Sequence, residues 1–163
     1  MILVRHAKPI VDPSVAPAEW ALAPGAHAAA AELGRHLRGQ TVVASTERKA
    51  IDTAAALGLG PVTTSAAFCE VDRPWYDDAA DMVRDAARWF AGETLAGWEP
   101  FADGVGRFGQ SIGDADVVVT HGTVMTAWLM SLGLVDDPFA FWSDLRMPDA
   151  WEVGPKLVRC PTP

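Results

Sequence analysis

Two apolar runs in this chain each break off at a histidine. Residues 1–6 are MILVRH, and residues 116–121 are DVVVTH with Gly122 next. A short run of apolar, largely β-branched residues bounded by polar ones has the signature of a buried strand. Both runs are therefore expected as interior strands that end in an imidazole. Between them the hydrophobic period changes. Residues 18–38 place Ala26, Ala29, Ala30, Leu33 and Leu37 at helical spacing, with Gly39 as a stop. Residues 41–45 (TVVAS) form a second strand, followed by a helix over 46–57 that ends at Gly58. A weaker third strand covers 61–68, an amphipathic helix 79–92 and a buried helix 124–132, while the tail 151–160 forms one strand or a hairpin. Strands alternating with helices predict an α/β chain, a three-layer αβα sandwich with a largely parallel sheet. Residues 73–112 interrupt the alternation and are rich in Trp, Gly, Asp and Ala. They are expected as a short helical lid insertion over one end of the sheet, within a single domain spanning 1–163.

Composition narrows the partners. The net charge of −8 argues against nucleic acid and against an anionic membrane surface. It does not exclude a small phosphorylated ligand, because at physiological salt charges more than about 8 Å away are largely screened. No apolar run reaches the ~18 residues that a membrane span requires. MILV runs straight into Arg5-His6 without the basic flank and cleavage site of a signal peptide, so the expected location is cytoplasmic. Two cysteines, Cys69 and Cys160, make neither a disulfide framework nor a metal-ligand spacing. Neither a metal nor a cofactor is expected, and composition leaves the oligomeric state open.

Ligands of open α/β sheets bind beyond the carboxyl ends of the strands. Here the first strand delivers Arg5 and His6. The second delivers Ser45, placed as a helix N-cap, with Arg48 and Lys49 in the first turn beyond it. The last delivers His121, then Gly122 and Thr123 at another helix start. Helix N-termini offer unpaired N–H groups and a partial positive charge. Two imidazoles, several cations and two helix starts on one edge describe a phosphate site. The remaining histidines, His27 and His36, lie in the first helix and are read as surface residues.

In that order the motifs resemble the histidine phosphatase, or phosphoglycerate-mutase-like, superfamily. LVRHA at 3–7 is similar to its Arg-His-Gly/Ala signature, and WALAPG at 20–25 to the start of its first helix. ASTERKAIDTA at 44–54 resembles its Ser-x-x-x-Arg-Ala-x-x-Thr-Ala segment. VVVTHG at 117–122 resembles its second histidine motif, and LRMPDAW at 145–151 the approach to its last strand. The resemblance implies that His6 is the nucleophile, that Arg5 and His121 bind the phosphoryl oxygens, and that a carboxylate after the third strand is the proton donor. Glu70 stands there, with Asp72 the next candidate; the lesser alternative for Glu70 is a surface salt bridge with Arg73.

Two departures stand out. The family's pocket arginine falls on Lys49, with Arg48 one place earlier, and lysine supplies a point charge where arginine supplies a planar fork. The helical 100° step allows only one of the two to face the pocket fully, and Lys49 borders the apolar face of its helix. The mutases' polar phosphate-binding positions fall on Pro9 and Asp12. These departures favour a phosphatase for a small phosphomonoester over a mutase. A phosphohistidine protein phosphatase and a non-catalytic phospho-ligand-binding homologue are the alternatives.

Overall fold

In the computed structural model, which describes residues 1–161, Leu3 and Val4 are adjacent on one strand, fully buried, and packed into different cores. That is the two-residue strand period at work in the middle of a sandwich. The strands β1 (Ile2–Arg5), β2 (Val42–Ser45), β3 (Val62–Ser65), β4 (Val117–Thr120), β5 (Asp149–Val153) and β6 (Leu157–Arg159) form one sheet in the order β3-β2-β4-β1-β5-β6. The first four in that order run parallel, while β5 is antiparallel to β1 and β6 to β5. The tail is thus a hairpin added to a parallel sheet.

Helices cover both faces. On one, α1 (Ala26–His36), the residue after it, Leu37, and α2 (Arg48–Leu57) bring Leu33, Leu37, Ala50 and Ala54 against Val4, Ala44 and Val119. On the other lie α3 (Ala79–Phe90), α4 (Phe101–Ser111), α5 (Gly122–Ser131) and α6 (Pro138–Asp144), packed with Leu3 and Val118. Both faces of the central parallel strands are therefore apolar, β4 is buried along its whole length, and of the four only the edge strand β3 exposes polar residues, Thr63 and Thr64. The three-layer αβα arrangement is the one the periodicity predicts. Among the described residues, no helix is long and apolar enough to cross a membrane.

The boundaries are where sequence and structure part. The first helix, expected over 18–38, begins only at Ala26: Pro24 precedes Gly25, whose φ of 81° suits glycine and interrupts any helix running in from residue 18. The third strand stops at Ser65, and residues 66–68 wind into a single 3-10 turn. Residues 73–112 are helical, as expected, but much of this segment is core rather than cover. Trp89, Phe90 and Phe108 share one hydrophobic cluster with Leu3 and Val118. At the carboxyl edge of the sheet, the same segment contributes Arg73, Pro74, Trp75 and Met82.

Candidate active site

His6 stands one residue beyond β1, held from three sides. Its own N–H donates to Thr120 O at 3.0 Å, and the next N–H, that of Ala7, donates to Thr53 Oγ1 at 2.9 Å. Thr53 in turn donates to Lys49 O at 2.6 Å, so the exit of β1 is tied both to β4 and to α2. The imidazole is buried, with Nδ1 at 2.8 Å from Ala7 O. A carbonyl oxygen only accepts, so Nδ1 carries the hydrogen and Nε2 keeps its lone pair. Burial lowers the His6 pKa to about 3; the Ala7 carbonyl pulls the other way, and the charges of Lys49 and Arg5 lower it further. At neutral pH this ring is an unprotonated base.

His121 follows β4 and is fully buried, its ring centroid 5.1 Å from that of His6. Nε2 lies 2.9 Å from Ser45 Oγ and 3.3 Å from Glu47 Oε1. Burial, then the coupling to the His6 ring (two neighbouring imidazoles resist both being charged) and the positive charges of Lys49, Arg107 and Arg5, push its pKa well below the ordinary value. A neutral ring facing a carboxylate presents N–H there, so Nδ1 holds the lone pair, and it is buried without a hydrogen-bond partner. His121 therefore becomes a donor through Nδ1 only by taking up a proton. Arg5 spends Nη1 on Leu145 O at 2.8 Å, while its Nε is also buried without a partner. Glycine at 122 permits this packing, because a Cβ there would stand 3.2 Å from Arg5 Nε.

The start of α2 differs from the sequence expectation. Ser45 is not its N-cap. The helix begins at Arg48, with Glu47 flanking it in extended backbone (ψ 136°). Ser45 Oγ accepts the Glu47 N–H at 3.1 Å and meets His121 instead of closing the helix. Arg48 is exposed and faces Asp52 at 3.6 Å on the outer surface. Lys49, one helical step round, is 5% exposed and lines the cleft. Its Nζ donates to Pro17 O at 2.8 Å and to Glu47 Oε2, and lies 5.7 Å from the centroid of the Trp20 ring.

Glu47 was not among the residues singled out from the sequence. Besides Lys49, its carboxylate meets His121 and accepts the Glu70 N–H at 2.8 Å. Three partners compensate the burial of its charge. The available signal was a carboxylate two places before the pocket cation. With the helix expected from residue 46, that position belonged to an ordinary first turn.

Glu70 does not pair with Arg73, whose guanidinium carbon lies 6.0 Å from the Trp98 ring centroid. Its Oε1 accepts the N–H groups of Val124 (2.9 Å) and Val71 (3.1 Å), and Oε2 accepts that of Thr123 (3.2 Å). The carboxylate thus sits on the N-terminus of α5, where backbone dipoles favour negative charge. Arg107 fixes the loop from below, donating to the carbonyls of Ala67, Cys69 and Glu70 while its charge is met by Glu99. Glu70 and the more exposed Asp72 both line the same cleft as Arg5, His6, Lys49 and His121, a space of about 690 Å³. Asp12 is turned aside, its Oδ1 taking both the N–H and the hydroxyl of Ser14. His27 and His36 are exposed on α1. No cluster of three or more His, Cys, Asp or Glu suited to a metal occurs among the described residues. The cleft unites a bare imidazole nitrogen, two cations and a carboxyl, a set able to take up an anionic electrophile and supply a proton.

Neither protein-family models nor curated proteins match the sequence. Solved structures do match in three dimensions. A phosphoglycerate mutase from Thermus thermophilus superposes with a TM-score of 0.73 at 19% identity, over 100% of each chain. The mycobacterial glucosyl-3-phosphoglycerate phosphatase gives a TM-score of 0.64 at 22% identity, covering 93% of this chain and 87% of that one. Its complex with inorganic phosphate gives the same TM-score at 21% identity, over 98% and 94%. At these identities the likeness establishes that the chain has the phosphoglycerate-mutase fold.

Proposed function

We propose that this chain is a histidine phosphatase that hydrolyses a small phosphomonoester through a phosphohistidine on His6. The observation that carries the proposal is the pairing of Nδ1–H of His6 with Ala7 O, which leaves Nε2 bare beside Arg5 and Lys49. Nε2 attacks phosphorus in line, the N–P bond forms as the P–O bond to the alcohol breaks, and Glu70, which takes up a proton as the phosphate dianion enters beside it, gives that proton to the leaving oxygen. Water then attacks the phosphohistidine, the Glu70 carboxylate takes a proton from it, and phosphate leaves with Nε2 unprotonated again. Splitting one hydrolysis into two displacements on a nitrogen nucleophile lowers each barrier. Arg5, Lys49 and His121 stabilise the spreading charge of the phosphoryl oxygens. The unpartnered Arg5 Nε and His121 Nδ1 are what a phosphoryl group would engage, His121 with a proton taken up alongside the dianion. No step calls for a metal. The functions named for the two structural neighbours belong to the same chemistry. The test is a turnover screen of phosphometabolites and phosphopeptides with a chelator present. Small esters should be favoured, and a large advantage for phosphopeptides would move the proposal to a protein phosphatase.

Lys49, not Arg48, is the cation in this account. Lys49→Ala should lose transition-state stabilisation of about 2–4 kcal/mol, the range for preorganised donors to developing charge. Because this change also strips Glu47 of a partner, Lys49→Arg is the companion variant, and it should keep or raise activity. Arg48→Ala should cost little. Steady-state kcat/KM of the three variants checks this, and a large loss confined to Arg48→Ala would reverse the assignment.

A second reading, a phospho-ligand-binding protein without turnover, is favoured by Glu47, whose carboxylate holds the same Lys49. An incoming phosphoryl group must compete with it. A unit charge pair at ~4 Å and an effective dielectric near 20 interacts by about 4 kcal/mol before solvation. Glu47→Gln should therefore tighten inorganic phosphate binding by about 10-fold or more, read as the product-inhibition constant or by calorimetry. Unchanged affinity would show that Glu47 does not contest the subsite. Phosphate binding without turnover, in the parent and in Glu47→Gln alike, would support the binding-only reading.

A further inference from the structure

We infer that the alcohol portion of the substrate is an apolar, ring-bearing group, held against the joined rings of Trp20 and Trp75, rather than a sugar or other polyol. This rests on the phosphatase reading of the same cleft. Trp20 and Trp75 meet edge to face at 5.9 Å and 88°, and both rings line the cleft beside the phosphoryl subsite. Lys49 Nζ stands 5.7 Å from the Trp20 centroid, so a group leaving the phosphorus enters aromatic territory within about one ring length.

Neither indole has a free polar handle. Trp20 Nε1 donates to the carbonyls of Asp12 (3.0 Å) and Val15 (3.2 Å), and Trp75 Nε1 donates to Asp77 at 3.2 Å. What they offer a ligand is ring face and edge alone. Val11, Val15, Met82 and Met147 continue the wall. Outside the phosphoryl subsite the polar side chains of the cleft are Lys8, Ser14, Asp72, Arg73 and the buried Thr123, and Ser14 has already given both its N–H and hydroxyl to Asp12. Against the Trp20–Trp75 wall a polyol's hydroxyls would meet no free polar atom, each at a cost, although Lys8, Asp72 and the unpartnered Arg73 Nε line other parts of the cleft; an apolar ring needs none of them.

The same wall is costly to leave in water. Val11, Val15, Trp75 and Met147 are 62, 40, 48 and 42% exposed, four of the large hydrophobic side chains most open to solvent, and they gather at this one mouth. Contiguous apolar surface of this kind on a folded chain marks a binding site.

The test separates recognition from chemistry. Benzylphosphonate and methylphosphonate, neither of which can be hydrolysed, share the anionic head and differ in the ring. Calorimetry on the full chain should give about 10- to 100-fold tighter binding of benzylphosphonate, as expected for burying one phenyl group. Trp75→Ala, at a half-exposed position and with its melting temperature compared with the parent's, should shrink that ratio about tenfold. In parallel, 2-phenylethyl phosphate should exceed glycerol phosphate in kcat/KM, two alkyl esters chosen so that leaving-group quality does not decide the outcome. A phosphonate ratio near one, with both esters turned over, overturns the apolar-substrate inference and leaves the phosphatase standing. A preserved ratio with no turnover of any ester overturns the phosphatase and leaves the apolar wall standing. If neither phosphonate binds, both fall.

Discussion

His6→Ala should lower turnover of a phosphomonoester by at least about 10⁴-fold, the scale of loss when a covalent nucleophile is removed and only binding and charge stabilisation remain. No other side chain of the cleft can substitute. His121 presents Nε2–H to Ser45 and Glu47, and its Nδ1, protonated as the donor to a phosphoryl oxygen, has no lone pair left to attack with. Because burial keeps the His6 pKa at about 3, its protonation should not reduce the rate until the pH approaches that value. An acid limb near 6.5 would therefore belong to another group. The variant should melt with the parent, since its ring hydrogen bond is to the neighbouring carbonyl and the Thr120 and Thr53 ties are made by backbone N–H groups. Turnover within tenfold of the parent would remove His6 from the chemistry.

The second large effect falls on Glu70. Glu70→Gln should cost about 10²–10⁴-fold on an alkyl phosphate, the usual contribution of a positioned general acid. On 4-nitrophenyl phosphate, whose leaving group departs without a proton, the loss in the first step should nearly vanish. That contrast separates proton donation from support of the fold, which a damaged α5 terminus would affect for both substrates equally. Asp72→Asn should cost little on either ester. Asp72 is exposed, and its backbone ties it to the fold, the carbonyl accepting the Glu99 N–H at 2.7 Å and the N–H lying 3.4 Å from the Glu99 carboxylate. Equal losses on the two esters, or a larger loss in Asp72→Asn, would take the acid role from Glu70.

The contrast between Ser45 and Glu47 explains how much of this site a sequence can reveal. Strand ends were legible because β1 and β4 are apolar runs that stop abruptly at polar residues, which places Arg5, His6 and His121 on one edge before any coordinates are known. The cation was legible in kind, and its side of the helix followed from the 100° step. Glu47 was not, because its role depends on α2 starting two residues late. In a helix beginning at residue 46 it would be an ordinary first-turn acid; with ψ of 136° it swings under the pocket onto Lys49 and His121. Backbone dihedrals at a loop-to-helix junction have no periodic signal. The same reason hid α6, a seven-residue helix too short for an apolar period to declare itself, although Asp137 caps it by accepting the Ala140 N–H. Packing decided the 73–112 segment, whose aromatic residues read as a cover and fill a core layer instead.

Rapid quench of the chain with a radiolabelled phosphomonoester, followed by peptide mapping, tests the central claim most directly. The account predicts a phosphoryl group that is labile in acid and stable in base, mapped to His6, formed within the first turnover and missing from His6→Ala. Steady turnover with no trapped phosphoenzyme, or an acid-stable phosphoryl group mapped to another residue, would contradict it.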